Sequence, residues 1–175
     1  TKVQSFYLSL ADLEEYWSTS QRAYHHTAPI SMVYAIWEAL RMVMEEGLTN
    51  RFDRHARCAS ALRAGLEALG LRLFADREHR LNSLTTVVAP DGIDEGSVRK
   101  RLLDEHNIEI AGGLGDTKGR LWRIGLMGHS CWETNVFVLL SALERILSSM
   151  GHKVDPGVSL AAAQKTLPGY DYSLV

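Results

Sequence analysis

The chain has 175 residues, 46% of them hydrophobic, and a formal net charge of −2. That length and apolar share suffice for a packed core, and the lack of a basic excess argues against nucleic acid or an acidic membrane surface as the main partner. No apolar run reaches the roughly 18 residues that would cross a bilayer. The two cysteines, Cys58 and Cys131, lie far apart in sequence without metal-type spacing and read as unpaired thiols of a reducing, cytoplasmic compartment.

Thr1 to Ser5 matches neither a signal nor a transit peptide. With no Met ahead of the apolar-aromatic Phe6-Tyr7-Leu8, the sequence reads as the interior of a longer protein. Asp12 to Trp17 has short helical spacing and ends in polar Ser18-Thr19-Ser20, and a His-rich loop follows over 21–28. Thr27 is the expected N-cap of a helix with Pro29 near its first position. Apolar residues at Ile30, Val33, Ile36, Trp37, Leu40, Val43 and Met44 carry that helix to Gly47. A second helix is expected from about Thr49 to Leu69, with Phe52, Ala56, Ala59, Leu62, Leu66 and Leu69 as its inner face.

After Gly70 the character changes. Leu71–Phe74 and Ser83–Ala89 read as strands, the second ended by Pro90-Asp91-Gly92. A charged amphipathic helix is expected over Gly96–Asn107, then strands at Ile108–Ala111 and Leu121–Leu126 joined by the loop Gly112–Gly119. Trp132–Met150 reads as a long helix entered through a Ser130/Glu133 capping box, and 153–175 as a polar tail. Strand pairs and helices without regular βαβ alternation predict an α+β arrangement, an antiparallel sheet backed by helices on one face.

Three features carry chemistry. In Leu121-Trp122-Arg123-Ile124-Gly125 a permanent cation interrupts an apolar strand. A guanidinium there needs a partner, and its planar fork matches a carboxylate, either an internal Asp or Glu or the carboxylate of an amino or keto acid. Gly112-Gly113, ahead of that strand, reads either as a hairpin connection or as a substrate-facing loop beside Arg123. Tyr24-His25-His26-Thr27 places hydroxyls at a helix start, where an anion such as phosphate is favoured. Adjacent His25 and His26 are expected to diverge, and no third ligand stands at metal spacing. Lys2, Lys100, Lys118, Lys153 and Lys165 all lie in polar settings unlike those of a reactive amine, so the chain is expected to hold binding parts of a site and no reacting centre.

Together, Tyr24-His25-His26-Thr27-Ala28-Pro29, Glu38-Ala39-Leu40, Glu46-Gly47-Leu48, Ile108-Glu109-Ile110-Ala111-Gly112-Gly113-Leu114-Gly115 and Arg123-Ile124-Gly125-Leu126-Met127-Gly128 resemble the C-terminal half of the alanine–glyoxylate (serine–pyruvate) aminotransferase family. Its members are class V, fold-type I enzymes dependent on pyridoxal 5'-phosphate. The resemblance implies an α/β fold-type I PLP-transferase, of which 1–46 would finish the large PLP-binding domain and its dimer contact. Residues 47–152 would form the small C-terminal α+β domain. It implies that Tyr24 and Thr27 bind the cofactor phosphate across a homodimer, that Arg123 binds the substrate α-carboxylate, and that Gly112 and Gly113 border the substrate pocket. The Schiff-base lysine matches no residue here, so no catalytic residue is assigned and the N-terminal half of the same enzyme is an implied partner. The implied reaction moves an amino group from alanine or serine to a 2-oxo acid such as glyoxylate. Pyridoxamine–pyruvate transamination, another class V reaction such as that of a cysteine desulfurase, and a non-catalytic carboxylate-binding dimerisation domain remain as alternatives.

Overall fold

The computed structural model describes residues 3–18 and 23–167. Expectations for Lys2, for Thr19 and Ser20, for the opening of the His-rich loop, and for the tail from Pro168 to Val175 fall outside the described residues. The chain divides into two compact units, the first ending at Glu46 and the second beginning at Gly47.

The first unit contains helix α1 (Leu10–Ser18) and helix α2 (Ile30–Glu46). Gly47, at φ +80°, stops α2 where the spacing predicts. Its start differs from expectation. The Pro29 carbonyl accepts the amides of Met32 and Val33 at 2.9 and 3.1 Å, so the cap falls on Pro29 and not on Thr27. The apolar stripe of α2 is present but covered by nothing in the described residues: Ile36, Trp37 and Leu40 are all more than half exposed. Arg41 bridges Glu38 and Glu45 on the same helix.

The second unit begins with helix α3 (Leu48–Ala68) and continues through β1 (Leu84–Val88), α4 (Glu95–His106), β2 (Ala111–Gly112), β3 (Leu121–Gly125), α5 (Glu133–Ser149) and α6 (Val158–Lys165). The sheet is antiparallel with order β1-β3-β2, so β3 is its middle strand. In register, Thr86 and Ala111 stand opposite Arg123 from the two neighbouring strands. One face of the sheet, carrying Val87, Trp122 and Ile124, closes a core formed with Leu62 and Leu66 of α3, Leu102 of α4 and Leu140 and Leu143 of α5. The expected strand over Leu71–Phe74 is reduced to a bridge between Leu73 and Val87. Likewise β2 is two residues long, because Asn107 turns left-handed (φ 54°) and the Ile108 amide is used on Leu102 to close α4.

Three expectations are corrected in this unit. Phe52 and Ala56 of α3 face solvent, and small residues Cys58, Ala61 and Gly65 lie buried on its packed side, where neighbouring helices come close. The Ser130/Glu133 capping box does not form. Ser130 ends a short 3₁₀ turn with its hydroxyl on the Met127 carbonyl, and Glu133 faces Arg57 at 3.6 Å. The polar tail is not structureless: α6 packs on α3 and α5 with Ser159 and Ala163 fully buried. The Glu144 carboxylate of α5 holds its start, accepting from the Gly157 amide at 2.5 Å and the Ser159 hydroxyl at 2.6 Å.

Gly65 is where α3 meets α5 and α6 most closely. A Cβ there would overlap the Leu140 methyls and stand 3.0 Å from the Ser159 carbonyl. Gly65→Ala should therefore destabilise by about 1–3 kcal/mol, despite the better helix propensity of Ala, as read from the denaturation midpoint.

Cys58 and Cys131, distant in sequence, meet in this core, both fully buried and neither in a disulfide. Burial and then the adjacent Cys131 thiol push Cys58 up to about 12 from an ordinary 9.0. The native thiols should resist a thiol reagent at pH 8 and react once the protein is unfolded. The fold favours the neutral thiol, so its contribution is complete below pH 9 and is lost as pH rises towards 12. In that window the loss is up to about 1.4 kcal/mol per pH unit, and Cys58→Ala should flatten the alkaline fall in stability.

Candidate active site

The first unit presents two hydroxyls ahead of α2. The Tyr24 phenol and Thr27 Oγ1 are 2.5 Å apart and both are exposed. One donates to the other, which leaves lone pairs and one proton for a further group. The segment is held by His25, 6% exposed, whose ring stacks on Phe6 at 4.2 Å. His25 Nε2 donates to the Phe6 carbonyl at 2.9 Å, so in the neutral ring Nδ1 accepts, and His26 Nδ1 donates to it at 2.6 Å. The two imidazoles thus converge, contrary to expectation, and are spent on each other and on Phe6. Among the described residues no three His, Cys, Asp or Glu side chains are grouped to hold a metal. Two paired hydroxyls near the positive end of a 17-residue helix suit an anion, and phosphate fits that chemistry.

The second unit presents Arg123. Strand alternation sends its neighbours Trp122 and Ile124 into the core, and the Trp122 indole donates to the Glu95 carbonyl at 3.0 Å. Arg123 lies on the opposite face, half-buried, with Nε donating to the Gly112 carbonyl at 2.7 Å. Its two terminal nitrogens have no bond, and no carboxylate pairs with it among the described residues. The internal ion pair that the sequence leaves open is therefore absent there. The guanidinium fork opens onto a cleft of about 370 Å³. Leu84, Ala111 and Met127 form its apolar walls, Ile110 borders it from the core, Gly125 adds no side chain, and Glu109 is the second charged group on the lining.

Gly112 ends β2 beside Arg123, and Gly113 opens the β2–β3 connection. Neither lines the cleft. Gly112 contributes through its carbonyl on Arg123, and its α-carbon faces the Arg99 guanidinium, which a Cβ would approach to 3.2 Å. Gly113 is buried against the loop, where a Cβ would overlap the Thr117 carbonyl. Its glycine is a packing requirement of the β2–β3 connection.

Arg54 is a structural participant that the sequence does not announce. It lies on α3 amid charged residues, yet it is 5% exposed. Its guanidinium donates to the carbonyls of Gly128 (3.2 Å) and Cys131 and covers the Trp132 ring at 4.4 Å. That clamp holds the turn directly after β3, next to Met127 of the cleft wall. The only available signal would be that a helix arginine at this position falls on the packed side, and the spacing of the apolar residues points to the wrong side.

Comparison with known proteins gives the family of the chain. The family model Aminotransferase class-V matches residues 3–123. A curated relative, (S)-ureidoglycine–glyoxylate transaminase of Bacillus subtilis, is 45% identical over 92% of this chain and 38% of its own length. The crystal structure of ureidoglycine–glyoxylate aminotransferase from Bacillus subtilis superposes with a TM-score of 0.87 at 43% identity, over 94% of this chain and 42% of that one. Alanine–glyoxylate aminotransferase from Nostoc sp. gives 0.78 at 49% identity, covering 84% and 39%. Pyridoxamine–pyruvate aminotransferase from Mesorhizobium loti gives 0.82 at 31% identity, covering 91% and 41%. The chain spans about two fifths of the length of these relatives. Its fold is that of part of a fold-type I aminotransferase, and the chain belongs to the class-V aminotransferase family.

Proposed function

We propose that this chain supplies the substrate-carboxylate and cofactor-phosphate groups of a cytoplasmic, pyridoxal 5'-phosphate-dependent aminotransferase. The complete enzyme transfers an amino group from a small amino acid to a 2-oxo acid such as glyoxylate. The unpaired Arg123 fork on its cleft carries this reading. A guanidinium held by one bond at Nε, with both terminal nitrogens open, is preorganised for a bidentate carboxylate, the group common to every amino acid and 2-oxo acid. The same residue serves both halves of the reaction, because donor and acceptor present the same carboxylate.

When bound, pyridoxal phosphate supplies the electron sink that labilises bonds at the amino-acid α-carbon. This chain's part is to hold and orient. Tyr24 and Thr27 would bind the phosphate through their paired hydroxyls, reaching across a homodimer to the partner's site, and Arg123 fixes the substrate by its carboxylate. The described lysines, Lys100, Lys118, Lys153 and Lys165, are all exposed. None has the desolvated surroundings of a reactive amine, so the Schiff-base lysine belongs to the part of the family's length that this chain does not span. Residues 1–46 complete the large domain and 47–152 form the small one. A second donor, ureidoglycine, is supported by the 45% identity to the transaminase named for it.

A desulfurase-like activity would need an accessible cysteine, and both described thiols are fully buried. That pair of buried cysteines without a disulfide also supports the cytoplasm as the compartment.

In the complete enzyme, Arg123→Ala should raise the amino-acid KM steeply, by the equivalent of about 2–5 kcal/mol, while the cofactor stays bound. An unchanged KM in steady-state kinetics would remove the carboxylate assignment. Tyr24→Phe should weaken cofactor affinity by roughly tenfold in a spectral titration, the cost of one hydrogen bond to a charged group. Mixed dimers of a Tyr24→Phe, Thr27→Ala subunit with an Arg123→Ala subunit should recover one intact site in two. No recovery over the parent dimers would mean that both sets of residues serve the same subunit's site.

A further inference from the structure

Glu109 and Arg123 line one cleft without pairing. The structure shows no hydrogen bond or ion pair for Glu109 among the described residues, and Arg123 bonds only the Gly112 carbonyl. The ladder places Ala111 directly across from Arg123. Two residues earlier, Glu109 is exposed and lines the same cleft as Ala111 and Arg123, while Ile110 between them is buried. Gly125, also on the lining, has no side chain, and a Cβ placed there would first meet the Met127 methyl at 3.8 Å. Among the described residues all other lining side chains are hydrocarbon or thioether. The cleft thus has one fixed cation, one carboxylate and apolar walls.

We propose that Glu109 selects the amino-acid substrate by its side chain. This rests on Arg123 as the α-carboxylate ligand. With that carboxylate anchored, the remainder of the substrate shares the cleft with a group that accepts hydrogen bonds and carries a negative charge. A neutral side chain rich in N–H or O–H donors, such as an amide, a ureido group or a hydroxymethyl, is matched. A second carboxylate is repelled, and among the described residues the cleft walls supply no further cation to offset it. The substrate class is therefore 2-amino acids with small, neutral, donor-bearing side chains, and dicarboxylic amino acids are turned away by charge rather than by size.

Succinate and its monoamide, succinamate, are close in size and differ in that one charge. Their inhibition constants against the amino donor, measured in the complete cofactor-loaded enzyme, read the selection directly. Wild type should bind succinamate at least tenfold more tightly than succinate. Glu109→Gln should reduce that ratio by at least tenfold, and Glu109→Lys should invert it. A residue that merely supports the fold would weaken both inhibitors alike, so an unmoved ratio in both variants overturns the proposal. Arg123→Ala separates the two readings. If it weakens both inhibitors while the Glu109 variants leave the ratio unmoved, only the selection by Glu109 fails. If Arg123→Ala weakens neither, the carboxylate assignment fails and the selection falls with it.

Discussion

A permanent cation on the middle strand of a three-stranded sheet has to be kept out of the core, and the second unit is organised around that requirement. Strand alternation does the sorting: Trp122 and Ile124 turn inward and are almost completely buried, and Arg123 turns outward. The inward residues are held by packing and by the indole bond to Glu95, so the strand cannot rotate to bury the charge. The outward residue is held at one point, the Gly112 carbonyl, and left open at the other end. Core formation and the positioning of the guanidinium are thus one event.

Arg54 and Arg123 show two ways of placing a cation. Arg54 is buried, with its terminal nitrogen on two backbone carbonyls and its plane against Trp132, so its charge is spent on fixing a turn. Arg123 is half-buried and underused. A side chain with one bond and four free donor protons on the rim of a cleft has capacity for a ligand, and one clamped on main-chain oxygens has little. Their environments, not their residue type, separate the structural role from the binding one.

Much of this was legible from sequence, for identifiable reasons. Helix lengths followed apolar spacing and glycine stops, as at Gly47, and the antiparallel sheet followed the short β-branched runs. Arg123 stood out because its neighbours are apolar. What escaped depends on contacts between distant segments. Arg54 resembles a surface residue until Gly128 and Cys131 are brought to it. Helix α6 has a short, alanine-rich sequence with no cap of its own, and the carboxylate of Glu144 on another helix supplies one. The Ser130/Glu133 pattern was chemically sound as a capping box, but Ser130 was taken by the turn before the helix. On α2 the spacing places the apolar residues on one face and says nothing of what covers it.

The loop between β2 and β3 bears on how such a site changes over generations. Gly113 lies so close to the Thr117 carbonyl that no side chain fits, and Thr117 Oγ1 bonds both the amide and the carbonyl of Leu114. A connection closed on itself in this way sets how far apart Ala111 and Arg123 are along the chain, and an inserted or deleted residue would shift every outward side chain of β3 inward. The cleft is thus open to change by single exchanges on its wall, at positions such as Leu84 or Met127, and closed to changes in loop length.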